Sequence, residues 1–193
     1  MDRTGGDMPG RAPDPPWAPM RPIVMVGMMG SGKTAVGQAL AARLGVPFRD
    51  SDDAIEEAAR MSVPEIFARD GEPFFRAREA EVVARLLEDG PGVVSTGGGA
   101  FLSVETRAAV RRHGISVWLR AEADLLWSRV KGRPGRPLLD RPDARAALAA
   151  LVEARASAYA KADVVVDCAP HLSIDATAGR VLDALRAAGR APA

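Results

Sequence analysis

The segment Gly27-Met28-Met29-Gly30-Ser31-Gly32-Lys33-Thr34 has the spacing G-x-x-x-x-G-K-[ST]. A glycine-rich turn of this kind lets successive backbone N–H groups point at phosphate oxygens, and a helix starting at its end adds a favourable dipole. Gly27, Gly30, Ser31, Gly32 and Ala35 would form the cradle, Lys33 would neutralise the β- and γ-phosphates, and the Thr34 hydroxyl would ligate Mg²⁺. A chance glycine-rich loop would not need an apolar run before it and an amphipathic run after it, yet "PIVMV" and "KTAVGQALAARLG" stand in those places. The motif implies a nucleoside triphosphate site and leaves the phosphoryl acceptor open.

Five further clusters could define the acceptor. In "FRDSDDAIE", Asp50 and Asp52 follow a short apolar run; in an extended chain both would point to one side, one serving Mg²⁺ and one an acceptor hydroxyl. The competing reading is that they cap the next helix. In "EPFFRAREAE", Arg76 and Glu79 share a helical face at a spacing that lets the glutamate orient the arginine, although such pairs usually sit in solvent. "KGRPGRPLLDRPD" (131–143) mixes basic residues with prolines and glycines, as a lid closing over phosphates would, and "EARASAYAKAD" places Arg155 and Tyr159 on the following helix. Finally, "VVSTGGGAF" ends a strand-like run in Gly97, Gly98 and Gly99, a sequence that sacrifices packing and backbone entropy unless something must come close to the backbone.

The rest of the chain must position these groups. It has 193 residues and is about half apolar, enough for one sizeable core. Lys plus Arg (26) nearly balance Asp plus Glu (25), so there is no bulk field to recruit nucleic acid or an anionic membrane. The single cysteine, Cys168, excludes an intramolecular disulfide and a multi-cysteine zinc site, and reads as a packed thiol. Residues 1–20 are rich in Gly, Pro and Asp without apolar periodicity and read as a disordered leader. They lack a continuous apolar core for export, and no 18-residue apolar span occurs, which points to the cytoplasm. Residues 21–190 then form one domain.

Short apolar runs at 22–26, 46–48, 92–95, 115–119 and 163–167 alternate with amphipathic segments, so an α/β fold is expected, a parallel sheet covered by helices on both faces with ligands at the carboxyl ends of its strands. His113, before Gly114, fits a basic helix end better than a catalytic role.

Taken in this order, Asp50-Ser51-Asp52 after the second strand, Phe75-Arg76 followed by Glu79, Gly97-Gly98-Gly99-Ala100, Arg136-Pro137-Leu138-Leu139 and Arg155-x-x-x-Tyr159 resemble the shikimate kinase family from about residue 22 to the last helix. The resemblance implies a five-stranded parallel sheet of order 2-3-1-4-5, as in nucleoside monophosphate kinases, with a P-loop and a mobile lid. It implies transfer of the ATP γ-phosphate to the 3-hydroxyl of shikimate, a step toward chorismate and the aromatic amino acids, with Mg²⁺ as the metal. No apolar surface stripe is left over in the sequence, so a monomer is the default. Asp50 would stand beside Mg²⁺ through water, and Asp52 would bind the acceptor hydroxyls and take the proton. Arg76, held by Glu79, and Arg155 would clamp the carboxylate, a bidentate task suited to guanidinium. Gly97, Gly98 and Gly99 would bring backbone N–H groups to shikimate, Arg136 in the lid would meet the transferring phosphates, and Arg129 would lie against adenine.

Two departures stand out: the family usually has D-T-D where this chain has D-S-D, and the late arginine near adenine has no counterpart around His171. A kinase of another small hydroxy acid such as gluconate is the nearest alternative. A GTPase switch would want N-K-x-D, and the chain contains no asparagine. A nucleic-acid binder would want an aromatic platform and clustered arginines.

Overall fold

A computed structural model describes residues 21–131 and 142–190. Five strands, β1 (Ile23–Val26), β2 (Phe48–Asp50), β3 (Val93–Ser95), β4 (Ile115–Arg120) and β5 (Val164–Asp167), form one sheet in the order β2-β3-β1-β4-β5. All pairings are parallel, with Ile23 opposite Val93 on one side and Ile115 on the other. Seven helices cover it: α1 (Lys33–Leu44), α2 (Ser51–Ala59), α3 (Val63–Glu88), α4 (Val104–His113), α5 (Ala123–Val130), α6 (Ala144–Tyr159) and α7 (Ile174–Ala187).

The central strand shows why the sheet is covered on both faces. Every residue of β1 is buried, and alternate residues enter opposite layers. Ile23 and Met25 pack with Val36, Leu40 and Leu44 of α1 and Val181 and Leu185 of α7. Val24 and Val26 pack with Val83, Leu87, Val110, Leu126, Leu148 and Tyr159 on the other face. Each such side chain, fully withdrawn from water, contributes roughly 1.5–3 kcal/mol before entropy is counted. At the open edge, β5 buries Val164 and Val166 and exposes Val165, as one-sided cover requires.

Helix boundaries follow local chemistry. Gly45, at φ 62°, ends α1 in the left-handed conformation. Ser62 and Glu65 form a reciprocal capping box at the start of α3, with the Ser62 Oγ to Glu65 Oε2 distance 2.6 Å. The helix is interrupted at Gly71 (φ 81°, ψ 169°), and Pro73 falls at the restart, where a missing N–H costs nothing. Ser103 and Ser173 cap α4 and α7 by accepting from backbone N–H groups three residues on. His113 closes α4 beside Arg111 and Arg112, exposed at the negative end of the helix dipole.

The second strand differs from expectation. It spans Phe48–Asp50 instead of 46–48, because Asp50 ends the strand and caps α2 at once, its Oδ1 accepting from Asp52 N–H at 3.0 Å. Asp52 therefore lies in the first turn of a helix and not two residues along an extended chain.

Candidate active site

The ends of β2, β3 and β5, the loop after β1 and the starts of α1, α2 and α7 meet over a cavity of about 480 Å³ lined by residues 29–36, Asp50, Asp52, Ser95, Thr96, Gly98, Arg129, Cys168, Leu172, Ile174 and Thr177. This is the carboxyl edge of the sheet, where loops leave room for a ligand. The loop from Gly27 to Gly32 joins β1 to α1. Gly27 has φ 140°, and a Cβ there would lie 2.8 Å from the Leu119 carbonyl oxygen, so both the backbone path and the approach to β4 demand glycine. Lys33 is buried, and its Nζ donates to the carbonyls of Gly27 (3.0 Å) and Met28 (3.1 Å). Gly27 itself lies behind the cavity wall, whereas Gly30, Ser31, Gly32, Lys33, Thr34 and Ala35 line it. Arg129 reaches across from α5 and donates to the carbonyls of Gly30 (3.3 Å) and Ser31 (3.4 Å), which puts its guanidinium at the cavity rim.

Thr34 and Asp50 meet as a pair of hard oxygen donors. Thr34 Oγ1 donates to Asp50 Oδ2 at 3.0 Å and lies 3.3 Å from Ser95 Oγ. Asp50 thus divides its oxygens between the α2 cap and Thr34, so the capping and functional readings describe the same side chain.

Beside this pair stands a largely buried charged cluster built around Gly97 and Gly99. Arg76 Nη1 donates to Glu79 Oε2 at 2.7 Å, and Nη2 donates to Glu72 Oε1 at 3.1 Å. The guanidinium also rests over the rings of Phe75 and Phe67, 5.3 and 5.8 Å from their centroids. Glu79 is only 2 % exposed, so the pair is not the solvated surface contact that its spacing usually signals. Burial pushes the Glu79 carboxyl above its ordinary range, against the pull of Arg76. Asp52 is pushed up to about 6, first by burial and then by the negative charges of Asp50 and Glu79, with Lys33 opposing.

The glycines are needed for space. A Cβ on Gly97 would sit 2.5 Å from Glu79 Oε1 and 2.8 Å from Asp52 Oδ1, and one on Gly99 would sit 2.4–2.5 Å from three guanidinium atoms of Arg76. None of the three has a left-handed backbone, so a tight turn does not explain them. The expectation that all three N–H groups face a ligand needs correction, because Gly97 N–H donates to the buried Ser51 hydroxyl at 3.1 Å. The serine that replaces the family's usual threonine therefore keeps a defined task. Gly98 and Gly99 N–H have no acceptor among the described residues.

From α6, Arg155 Nη1 donates to the Gly98 carbonyl at 3.4 Å and approaches Met28 Sδ at 3.9 Å. The fold thus gathers Asp50, Asp52, Arg76, Glu79, Arg155 and the glycine run beside the phosphate loop. Arg136 lies outside the described residues. The cavity is also lined by residues to which the sequence assigns no ligand role, among them Ser95 and Thr96 at the end of β3, Cys168 after β5, and Leu172, Ile174 and Thr177 further on. For Ser95, Thr96 and Cys168 the place at a strand end is the available signal. Cys168 Sγ lies 3.7 Å from the Ser31 carbonyl oxygen, and burial raises its thiol pKa, in keeping with a packed, unreactive cysteine. Among the described residues, no helix is long and apolar enough to cross a membrane, and no cluster of three or more His, Cys, Asp or Glu could hold a metal.

A phosphate loop on a parallel 2-3-1-4-5 sheet, with carboxylates and arginines at the same edge, defines an ATP-dependent kinase of the P-loop class. The family model for shikimate kinase matches residues 29–186, and the chain belongs to that family. It is 58 % identical over 163 residues to shikimate kinase of Ruegeria pomeroyi, covering 84 % of each chain. It is 55 % identical to that of Cereibacter sphaeroides, over 84 % of this chain and 81 % of the relative. The structure of Acinetobacter baumannii shikimate kinase in complex with shikimate superposes with a TM-score of 0.81 at 32 % identity, covering 87 % of this chain and 94 % of that one.

Proposed function

We propose that this chain transfers the γ-phosphate of ATP to the 3-hydroxyl of shikimate, acting as a single chain on dissolved substrates in the cytoplasm. The observation that carries this reading is the cluster of buried Glu79 with half-buried Asp52 and Arg76 around Gly97 and Gly99, set beside the phosphate loop. It offers a proton acceptor and a fixed guanidinium to a small hydroxylated carboxylate.

Lys33 and the N–H groups of residues 30–35 hold the phosphates, with Arg129 at the base and Arg136 from the lid meeting the transferring group. Thr34 Oγ1 and Asp50 Oδ2, 3.0 Å apart, suit Mg²⁺, a cation that takes few protein ligands alongside phosphate oxygens and water. Bound there, Mg²⁺ would offset charge on the β- and γ-phosphates. Asp52, half-protonated near pH 6 and ionised at pH 8, accepts the proton of the attacking hydroxyl. Arg76 and Arg155 receive the carboxylate, and Gly98 and Gly99 N–H remain for acceptor oxygens. The protein supplies position and charge compensation, since phosphoryl transfer asks little covalent chemistry of it.

The test is ADP release by the purified protein with ATP and Mg²⁺, comparing shikimate, gluconate and no acceptor. Shikimate-dependent release supports the proposal; release with gluconate alone, or release indifferent to acceptor, overturns it. The clamp has its own check. Arg155→Lys keeps the charge and loses the planar fork, and is expected to raise the shikimate KM about tenfold with the ATP KM nearly unchanged. Unaltered shikimate KM in steady-state kinetics would remove Arg155 from the carboxylate site.

A further inference from the structure

Tyr159 ends α6 with its side chain only 1 % exposed, yet its hydroxyl does not pack passively. It donates to the Gly98 carbonyl and lies 3.7 Å from Met28 Sδ in the phosphate loop. Its ring stacks on Trp118 of β4, centroids 5.8 Å apart and planes 25° apart. The phenol is therefore fixed from the sheet side and bonded to the middle of the glycine run.

A trans peptide is planar, so the C=O of Gly98 and the N–H of Gly99 point in opposite directions. Holding that carbonyl toward α6 aims the Gly99 N–H away from it. Elsewhere in the run Ser51 holds Gly97 N–H at 3.1 Å, Ala100 N–H reaches the Gly97 carbonyl at 3.1 Å and Leu102 N–H reaches the Gly99 carbonyl at 3.0 Å, which leaves the Gly98–Gly99 peptide to the donors on its own carbonyl. Arg155 also donates to the Gly98 carbonyl, but at 3.4 Å, and it is the group assigned to the substrate carboxylate. When Arg155 turns to that task, Tyr159 is left holding the plane.

We infer that Tyr159 is a positioning residue for the acceptor: its hydroxyl fixes the Gly98–Gly99 peptide so that the Gly99 N–H stands ready for an acceptor oxygen, and it does so without touching either substrate. The inference rests on the acceptor site proposed above.

Tyr159→Phe removes the hydroxyl and keeps the stacked ring. The acceptor KM is expected to rise about tenfold, the loss of one buried hydrogen bond, with the ATP KM within twofold and the thermal midpoint little changed. An unchanged acceptor KM, or equal shifts for both substrates, would overturn the assignment. A second route does not depend on a mutation that could impair folding. Tyr159 is the chain's one tyrosine, so biosynthetic incorporation of a fluorinated tyrosine with a more acidic phenol alters this position alone. The charged groups facing the phenol are Arg155 on α6 and Arg76 and Glu79 on α3. A phenolate cannot donate, so the acceptor KM of the fluorinated enzyme is expected to climb with pH across the analogue's titration, where unmodified enzyme shows no such step. Parallel profiles for the two enzymes would overturn the inference. Failure of the functional proposal looks different, since the unmodified protein would then show no shikimate-dependent ADP release.

Discussion

Asp52→Asn is expected to lower kcat about 10²–10⁴-fold, the usual worth of a positioned proton acceptor, while leaving ATP binding intact. The same change should make the metal-free protein more stable above pH 6. The folded Asp52 carboxyl titrates at about 6 against an ordinary 3.8 because burial and two neighbouring carboxylates oppose its charge. Below pH 3.8 it is protonated in folded and unfolded chains alike and has no effect on the balance. Between the two values the folded state holds the proton more tightly, so stability falls as pH rises, and the full cost is present above pH 6. That cost is on the order of 2–3 kcal/mol, from about 1.4 kcal/mol per pKa unit. Asparagine never bears it. Calorimetric melting of both proteins should therefore show the variant about 5 °C higher at pH 8 and level with the parent at pH 4. A gain independent of pH would locate the effect in packing and not in charge. A functional site that weakens the fold that holds it is the expected signature of a carboxylate kept buried for chemistry.

Gly99→Ala should raise the acceptor KM by about 10–100-fold and leave the ATP KM nearly alone, because each arginine contact of this kind is worth roughly 1.5–3 kcal/mol. The added methyl group would sit within 2.5 Å of the Arg76 guanidinium, closer than any real contact. Arg76 is flexible in principle, but Glu79 and Glu72 together hold all three of its nitrogens and two aromatic rings lie beneath it. It must give up those partners to move. The double variant with Arg76→Ala should then be little worse than either single one. Additive losses in the steady-state constants would mean that Gly99 serves the acceptor through its own N–H and not through the arginine.

The phosphate loop was legible because its purpose is local: a strand, eight residues and a helix suffice. The same holds for the alternation of strands and helices, and the family resemblance supplied the 2-3-1-4-5 order that pattern alone does not contain. The second strand is displaced from its expected 46–48 because Asp50 belongs to two elements at once, and an edge strand reading Phe-Arg-Asp has no apolar run to announce it. The first turns of α3 carried a readable signal, Ser62-Val63-Pro64-Glu65, which is a capping box with proline near the helix start. The glycine run was read as room for a ligand. In the structure two of its three positions make room for Asp52, Glu79 and Arg76, partners from distant parts of the chain, so no local pattern could name them. Tyr159 was noticed only as a spacing from Arg155; its bond to Gly98 exists only once α6 has packed beside the end of β3.

The strand order also governs how the molecule comes into being. Ile23 of β1 finds its two neighbours at Val93 and Ile115, so the centre of the sheet joins segments far apart along the chain. Such long-range closure is slow, because the intervening chain loses entropy before any pairing compensates. During synthesis β1 leaves the ribosome before its neighbours and waits, fully apolar, until β3 and β4 have emerged. The loop from Gly27 to Thr34 depends on Leu119 of β4 and Val130 of α5 for its shape. The segment that grips phosphate is thus made before the elements that shape it, and bound nucleotide would favour the chain only once β4 and α5 have packed against that loop.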